Sequence, residues 1–351
     1  MPESITYHLL RSGRELEAAI PSWRALWRED PQASPFQSPE WLVPWWRQFG
    51  QGDLRAVAIE RDGEWIGFLP FYLYSDSYTG ERQLLPLGVS SSDYLDGIFS
   101  PICSAGQIRE ALSVLMREPG WDVFYASQLP AHSRLFHAMR QRNEMGIRQF
   151  EGESCSRMRA VSMGELPQKI RRNAMYYRNR AQRAGTLEMH VADATNWAAA
   201  FGALRRLHTE RWLERGEPGV LADERVLSWH CDALPQLERA DMLRLCTLRL
   251  EGEIIAVLYS LIDPPFRAAR TQYFYLTAFD PKHSDLRPGT LLLAYAIECA
   301  VQEGVQVVDM LRGNESYKQF WHLERIATHG FALENPAAER LLSVDDREQA
   351  A

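Results

Sequence analysis

The sequence predicts an α/β fold with mixed (α+β) sheets, built as two domains of one plan. Three observations carry this. At 351 residues the chain exceeds the usual size of a single domain. A strand–turn–strand segment occurs twice and aligns without a gap: Leu54 falls on Leu243, Arg55 on Arg244, Gly63 on Gly252, Ile66 on Ile255 and Leu69 on Leu258. The order of elements downstream of each copy also repeats.

In each copy an acidic residue and a glycine (Asp62-Gly63, Glu251-Gly252) sit between two apolar runs, a strong hairpin signal for Asp-Gly above all. After the first hairpin a strand-like stretch ends at Phe99-Ser100-Pro101. A helix follows from about Gln107 to Glu118, and then the apolar strand Val123–Ala126. After the second, a strand from Thr271 to Leu276 ends at Phe279-Asp280-Pro281. A helix from Pro288 to about Gln302 leads into the strand beginning at Val307. The break between copies is expected near Gly152 to Gly164, giving domains 1–155 and 156–351.

The copies differ where chemistry is expected. The second opens its helix with Arg287-Pro288-Gly289-Thr290, where a first-turn proline and a small neighbour suit amides that face an anion. Its last strand, Val307–Leu311, breaks at Arg312-Gly313 into Asn314, Glu315, Ser316, Tyr317, Lys318 and Trp321. Such a cluster at the carboxyl end of a buried strand is a usual place for ligand chemistry. The first copy has Cys103-Ser104-Ala105-Gly106 at its helix and no such cluster. The second is therefore expected to be the active copy and the first a degenerate one.

Composition bounds the function. Hydrophobic residues make up 46% and charged residues 24%, and the net charge is −7, which argues against general nucleic-acid coating. Five scattered cysteines without CxxC spacing indicate neither a disulfide frame nor a zinc site. With no leader-like start and no apolar run of spanning length, a cytoplasmic protein without membrane insertion is expected. Gly-x-Ser-x-Gly, P-loop, Gly-x-Gly-x-x-Gly and His-Glu-x-x-His patterns are missing.

Two further segments stand out. Lys169 to Gly185 reads as a helix with a terminal glycine cap and almost only positive charge, suited to phosphates or to solvent. In Leu204 to Gly216, His208, Arg211 and Arg215 share related turns, so a base or substrate ligand is possible beside leucine packing. His230-Cys231-Asp232 points three ways on a helix and makes no dyad. Trp41, Trp45 and Trp46, after Ser38-Pro39-Glu40, read as packing residues.

Together these motifs resemble the GNAT-superfamily acyltransferases of the cellulose-biosynthesis (CelD/BcsL) type. The resemblance rests on Phe36–Trp41, Ser92-Asp93-Tyr94-Leu95-Asp96, Leu207-His208 with Arg211-Trp212 and Arg215-Gly216, Pro288–Leu293, and Asp309 through Lys318 and Trp321. More distantly the layout is similar to Fem-type aminoacyl transferases. The resemblance implies an acyl-CoA co-substrate (acetyl-CoA first), no metal, and direct transfer to an amine or hydroxyl of a small-molecule or saccharide acceptor. It also suggests a link to exopolysaccharide synthesis. The usual Gln/Arg-x-x-Gly-x-Gly/Ala pyrophosphate loop is absent, and Arg287–Thr290 stands in its place.

On that basis Arg287, Gly289 and Thr290 are expected to hold phosphates, and the strand with Tyr273, Tyr275 and Leu276 to polarise the acyl carbonyl. Glu315 or His208 would take the proton of the incoming ammonium, and Tyr317 would protonate the leaving thiolate. Arg211, Trp212, Arg215, Arg312 and Lys318 would line the acceptor side. Asp93 and Tyr94 would add contacts from a loop facing the interdomain cleft. Two other classes remain: a tRNA-dependent transferase, favoured by Lys169–Arg183 but disfavoured by the acidic charge and the lack of a coiled-coil insertion, and a non-catalytic binding module.

Overall fold

The computed structural model describes residues 4–50, 52–142, 146–336 and 338. The chain forms two compact units, Met1–Glu153 with Ala327–Ala351, and Ser154–Ile326.

Unit 1 begins with β1 (Ile5–Leu10), α1 (Gly13–Ala18), α2 (Ile20–Glu29) and α3 (Pro39–Phe49). Then come β2 (Asp53–Leu54), β3 (Ala56–Arg61), β4 (Glu64–Leu69), β5 (Phe71–Ser75), β6 (Arg82–Pro86) and β7 (Ile98–Phe99). α4 (Ala105–Arg117), β8 (Val123–Pro130), α5 (Arg134–Arg140) and β9 (Arg148–Glu151) follow. Unit 2 comprises β10 (Cys155–Arg159), α6 (Gln168–Ala184), β11 (Leu187–Val191), α7 (Trp197–Leu213) and α8 (Glu224–Arg239). It continues with β12 (Leu243–Leu250), β13 (Glu253–Ile262), β14 (Thr271–Phe279), α9 (Pro288–Gln302), β15 (Val307–Arg312) and β16 (Glu324–Ile326). The chain then returns to unit 1 as β17 (Thr328–Glu334).

The repeat survives in atomic detail. β3–β4 and β12–β13 are antiparallel hairpins whose turn residues all have positive φ: Asp62 52° and Gly63 90°, Glu251 50° and Gly252 82°. Two consecutive left-handed residues make the turn whose twist matches its strands. Both hairpins also slip register at the same aligned place, between Ile59 and Glu60 and between Leu248 and Arg249. Beyond that point the copies part. Pro70 ends β4, whereas β13 runs on through the aligned Tyr259 to Ile262. A proline lacks the amide that a strand interior needs, so unit 1 continues into a second sheet.

Unit 1 therefore has a four-stranded sheet, β1-β3-β4-β7, and a six-stranded one, β2-β5-β6-β8-β17-β9. The strand parallel to β8 is β6, while the short stretch ending at Phe99 pairs with β4. The Phe99 stretch is thus not the counterpart of β14, although it occupies the same place in the order of elements. β17 lies between β8 and β9, antiparallel to both, so this unit does not end where the linear repeat suggests, at residue 155. Its strand comes from beyond unit 2, and pairing this distant is invisible to local pattern. Trp41, Trp45 and Trp46 on α3 are buried. The Trp41 Nε1–H donates to Ser92 Oγ at 2.9 Å.

Unit 2 has one seven-stranded sheet, β11-β12-β13-β14-β15-β10-β16. Its core joins Leu248, Leu258, Phe274, Leu292, Ile297, Val308 and Trp321 with Ile170, Ala174 and Ala181 of α6. Gly185 ends α6 as foreseen, but with φ 162° it is extended and not left-handed. A Cβ there would strike the Glu251 side chain, so a larger residue would displace that carboxylate. All five cysteines are free thiols. No helix of the described residues is long and apolar enough to cross a membrane.

Candidate functional site

The central feature of unit 2 is the parting of two parallel strands. β14 and β15 pair at Thr271/Val307, Gln272/Val308 and Tyr273/Asp309, and no further. Beyond that point β14 stays with β13, while β15 runs with β10 as far as Arg312. β14 also bulges here: Leu276 faces Tyr259 and Phe274 faces Ser260, leaving Tyr275 without an opposite residue. Bulges re-aim backbone groups beside active sites. The edge of β14 after Tyr273 thus offers amides and carbonyls to a ligand in place of a strand.

At the far end of this edge stands the start of α9. Arg287 adopts a left-handed conformation (φ 52°, ψ 53°) and Pro288 holds the first helical position. Of the amides that open the helix, Thr290 N–H donates to the Arg287 carbonyl at 3.0 Å, while Gly289 N–H stands where no preceding turn supplies an acceptor. A Cβ on Gly289 would touch only the Phe279 ring, at 3.9 Å, so the last residue of β14 and the first turn of α9 are neighbours.

The end of α7 closes on the same place. The Arg211 guanidinium lies over the Phe279 ring at 4.7 Å, and Arg215 over Trp212 at 5.5 Å. Burial, then Arg215, lowers the Arg211 pKa, while neighbouring Tyr317 acts to raise it. His208 is 2% exposed, its ring 5.9 Å from that of Trp212. Its Nδ1 is buried without a hydrogen-bond partner. Burial, with Arg211 close by, lowers its pKa and keeps it neutral. Gly219 (φ 69°) presses on both rings, since a Cβ there would lie 2.6 Å from His208 Cε1 and 2.7 Å from Trp212. The structure therefore gathers His208, Arg211, Trp212, Arg215, Gly289 and Tyr317 of the sequence-derived set around Phe279, which sequence reasoning took only as a strand end.

The loop after β15 is held by a buried lysine. Lys318 Nζ donates to the carbonyls of Leu311 (3.2 Å), Arg312 (2.6 Å) and Gly313 (3.3 Å). It also pairs with Glu315 at 2.9 Å. Leu311 (φ 59°) and Gly313 (φ 104°) are left-handed. Asp309 is buried in the strand and accepts from the Leu311 amide at 2.7 Å. Lys318 is thus turned into its own loop, while Glu315 remains half-exposed. Tyr317 packs against the core of unit 2. Burial, then Glu315, raises its pKa, so it keeps its proton.

Beneath the bulge lies an aromatic group that sequence reasoning did not assemble. His230, 1% exposed, stacks on Trp229 at 4.2 Å and meets the rings of Tyr259 (5.6 Å) and Tyr275 (5.8 Å). The available signal was its position on the apolar face of α8 with Trp229, Ala233, Leu234 and Leu237. Burial lowers its pKa to about 3. Tyr273, at the last paired position, is buried beside Asp263, whose own pKa burial raises to about 7.

These two groups set opposite pH dependences. His230 takes a proton in the unfolded chain below about 6.5 but resists it in the fold, so its contribution to stability is lost as pH falls from about 6.5 toward 3. Asp263 holds a proton longer in the fold, so its contribution is lost as pH rises through about 7. In His230→Phe only the second dependence survives. Urea midpoints of this variant should rise on going from pH 7 to 5 relative to wild type, by up to about 1.4 kcal/mol per pH unit. Parallel profiles for the two proteins would refute the assignment.

Asp93 and Tyr94 belong to unit 1. Asp93 is buried. The Tyr94 carbonyl accepts from Gln37 Nε2 at 3.0 Å, and its ring lies 6.2 Å from Phe36. No cluster of three or more metal-ligating residues occurs among the described residues.

Residues 168–319 match the sequence profile of the acetyltransferase (GNAT) domain. No curated protein matches the sequence. Among solved structures the chain is similar to FemX, with a TM-score of 0.63 at 11% identity, covering 97% of this chain and 99% of that one. A conserved protein of unknown function from Bacteroides thetaiotaomicron also gives a TM-score of 0.63, at 10% identity over 93% of this chain and all of the other. L-PGS from Bacillus licheniformis gives 0.55 at 16% identity, over 93% and 92%. At such identities the likeness concerns the fold. The profile match, which falls within unit 2, marks the chain as an acyltransferase with a GNAT acetyltransferase domain there.

Proposed function

We propose that the protein transfers an acyl group, acetyl first among them, from acyl-CoA to an amine or hydroxyl of a small-molecule or saccharide acceptor. The carrying observation is that β14 leaves β15 after Tyr273 and that its free edge ends at the first turn of α9. A pantetheine chain can add to that edge as a short strand, with the thioester near Tyr275 and Leu276 and phosphates at Gly289 and Thr290. Arg287 lies beside them and adds a cation.

The acceptor nitrogen then attacks the thioester carbon, forming the C–N bond as the C–S bond breaks. Backbone amides of β14 stabilise the oxyanion. Glu315, the exposed one of the two base candidates, takes the ammonium proton before attack; Tyr317, still protonated, gives its own to the thiolate and is reprotonated by the proton that the attacking nitrogen sheds as the amide forms. His208 sits too deep for an acceptor and holds the Arg211–Trp212 wall in place. Arg211, Arg215 and Arg312 supply cations for an anionic part of the acceptor, with Lys318 bracing the loop. The resemblance to the cellulose-biosynthesis type suggests an exopolysaccharide context.

Calorimetry with acetyl-CoA tests the donor. Gly289→Asp places a carboxylate at the helix start without a steric clash, and should weaken binding about 10-fold. If acetyl-CoA and longer thioesters all fail to bind while aminoacyl-tRNA is retained, the donor is the tRNA ester that the cations of α6 favour.

A further inference from the structure

Acyl transfer from CoA gives no part to α6, a helix of unusual charge for this chain. Its seventeen residues include Lys169, Arg171, Arg172, Arg178, Arg180 and Arg183 and no acid, in a protein of net charge −7. Among the described residues only Arg180 of these six is ion-paired, with Asp285 at 2.7 Å. Between the cations two apolar side chains face solvent, Met175 at 63% exposure and Tyr176 at 58%. Arg172, Met175, Tyr176 and Arg183 follow helical spacings of three, four and eleven, so they form one stripe.

Beside this stripe lies a half-open groove of about 340 Å³ between α6, β11 and α9. Met163, Met175, Met189, Leu187 and Leu291 line it, together with two charged side chains, Arg178 and Glu298. Methionines adapt to flexible apolar ligands. Cations around exposed apolar side chains are the pattern of a helix lying at a lipid interface. A polynucleotide would satisfy the arginines and leave the groove and Met175 without a counterpart.

We propose that α6 docks the protein on an anionic lipid bilayer, with one acyl chain entering the methionine-lined groove and its headgroup meeting Arg178. The attachment is peripheral and reversible, since charge attraction of this kind falls off within a Debye length. It goes beyond the acyl-transfer reading and does not depend on it: acetyl-CoA binding, measured on the same preparations, reports on that reading separately.

Flotation of the full chain with vesicles tests the proposal. Vesicles of phosphatidylcholine with about one third phosphatidylglycerol should carry the protein at low salt and release it at about 0.5 M salt. Pure phosphatidylcholine should not carry it. Arg172→Gln/Arg178→Gln/Arg183→Gln should weaken attachment about 100-fold, with acetyl-CoA binding unchanged. Met175→Asp, at an exposed position, should weaken it about 10-fold. Equal flotation with both vesicle types, or no flotation with a transfer RNA retained through the same three arginines, would overturn the proposal. Loss in the arginine variant with Met175→Asp unaffected would overturn the groove's part in it.

Discussion

Glu315→Gln is expected to slow acyl transfer by on the order of 10²- to 10⁴-fold, the usual effect of removing a general base. The readout is thiol release from acetyl-CoA in the presence of an acceptor amine. The glutamine keeps the size of the side chain and an oxygen toward Lys318 Nζ, now 2.9 Å from the carboxylate. KM for the thioester should hardly change, because Glu315 lies on the loop after β15 and not on the edge of β14. Lys318→Met separates chemistry from architecture. It strips three carbonyls, those of Leu311, Arg312 and Gly313, of their charged donor, and should cost about 1.5–3 kcal/mol of stability. Glu315→Gln should leave the unfolding midpoint nearly in place. If the glutamine variant retains its rate, or loses stability as the methionine variant does, Glu315 is only the counter-ion of a buried ammonium.

Phe331→Ala should destabilise unit 1 by about 3–5 kcal/mol, the range for deleting a buried phenylalanine. Phe331 is fully buried, packs 5.1 Å from Phe136, and sits on the strand that joins β8 to β9. Urea unfolding followed by tryptophan fluorescence should show an early transition from unit 1, because Trp23, Trp27, Trp41, Trp45 and Trp46 are buried there. A fragment of residues 4–153 should fail to fold cooperatively, and a peptide of residues 327–336 should restore the transition. Cooperative folding of the fragment alone would show that β17 is dispensable.

The readable parts of the sequence were those governed by neighbours along the chain. Asp62-Gly63 and Glu251-Gly252 announced their turns, and Pro288 announced the start of α9. The apolar Val307–Leu311 announced a buried strand with its cluster behind it. What depended on distant partners stayed hidden. Nothing local marks β17 as a strand of the first unit, because its register is set by β8 and β9. Lys318 read as a ligand for anions, since only the left-handed turns at Leu311 and Gly313 swing three carbonyls toward it. His208 and Glu315 look equivalent as bases in the sequence, which does not show that one is buried and the other half-exposed. Phe279 gained a role only when Arg211 came to rest on its ring.

The return of β17 has a consequence for how the protein is made. During synthesis residues 154–326, roughly 170 of them, emerge between β9 and the strand that must lie beside it. At about 5–20 residues per second that interval is on the order of 10 to 35 seconds. Throughout it the facing edges of β8 and β9 lack their shared neighbour, and the buried Phe136 and Phe124 lack part of their cover. Unit 2, whose strands all emerge within that interval, is free to fold first. The nascent first half is then the stretch exposed to chaperones and to mispairing with other chains, until the last strand closes it.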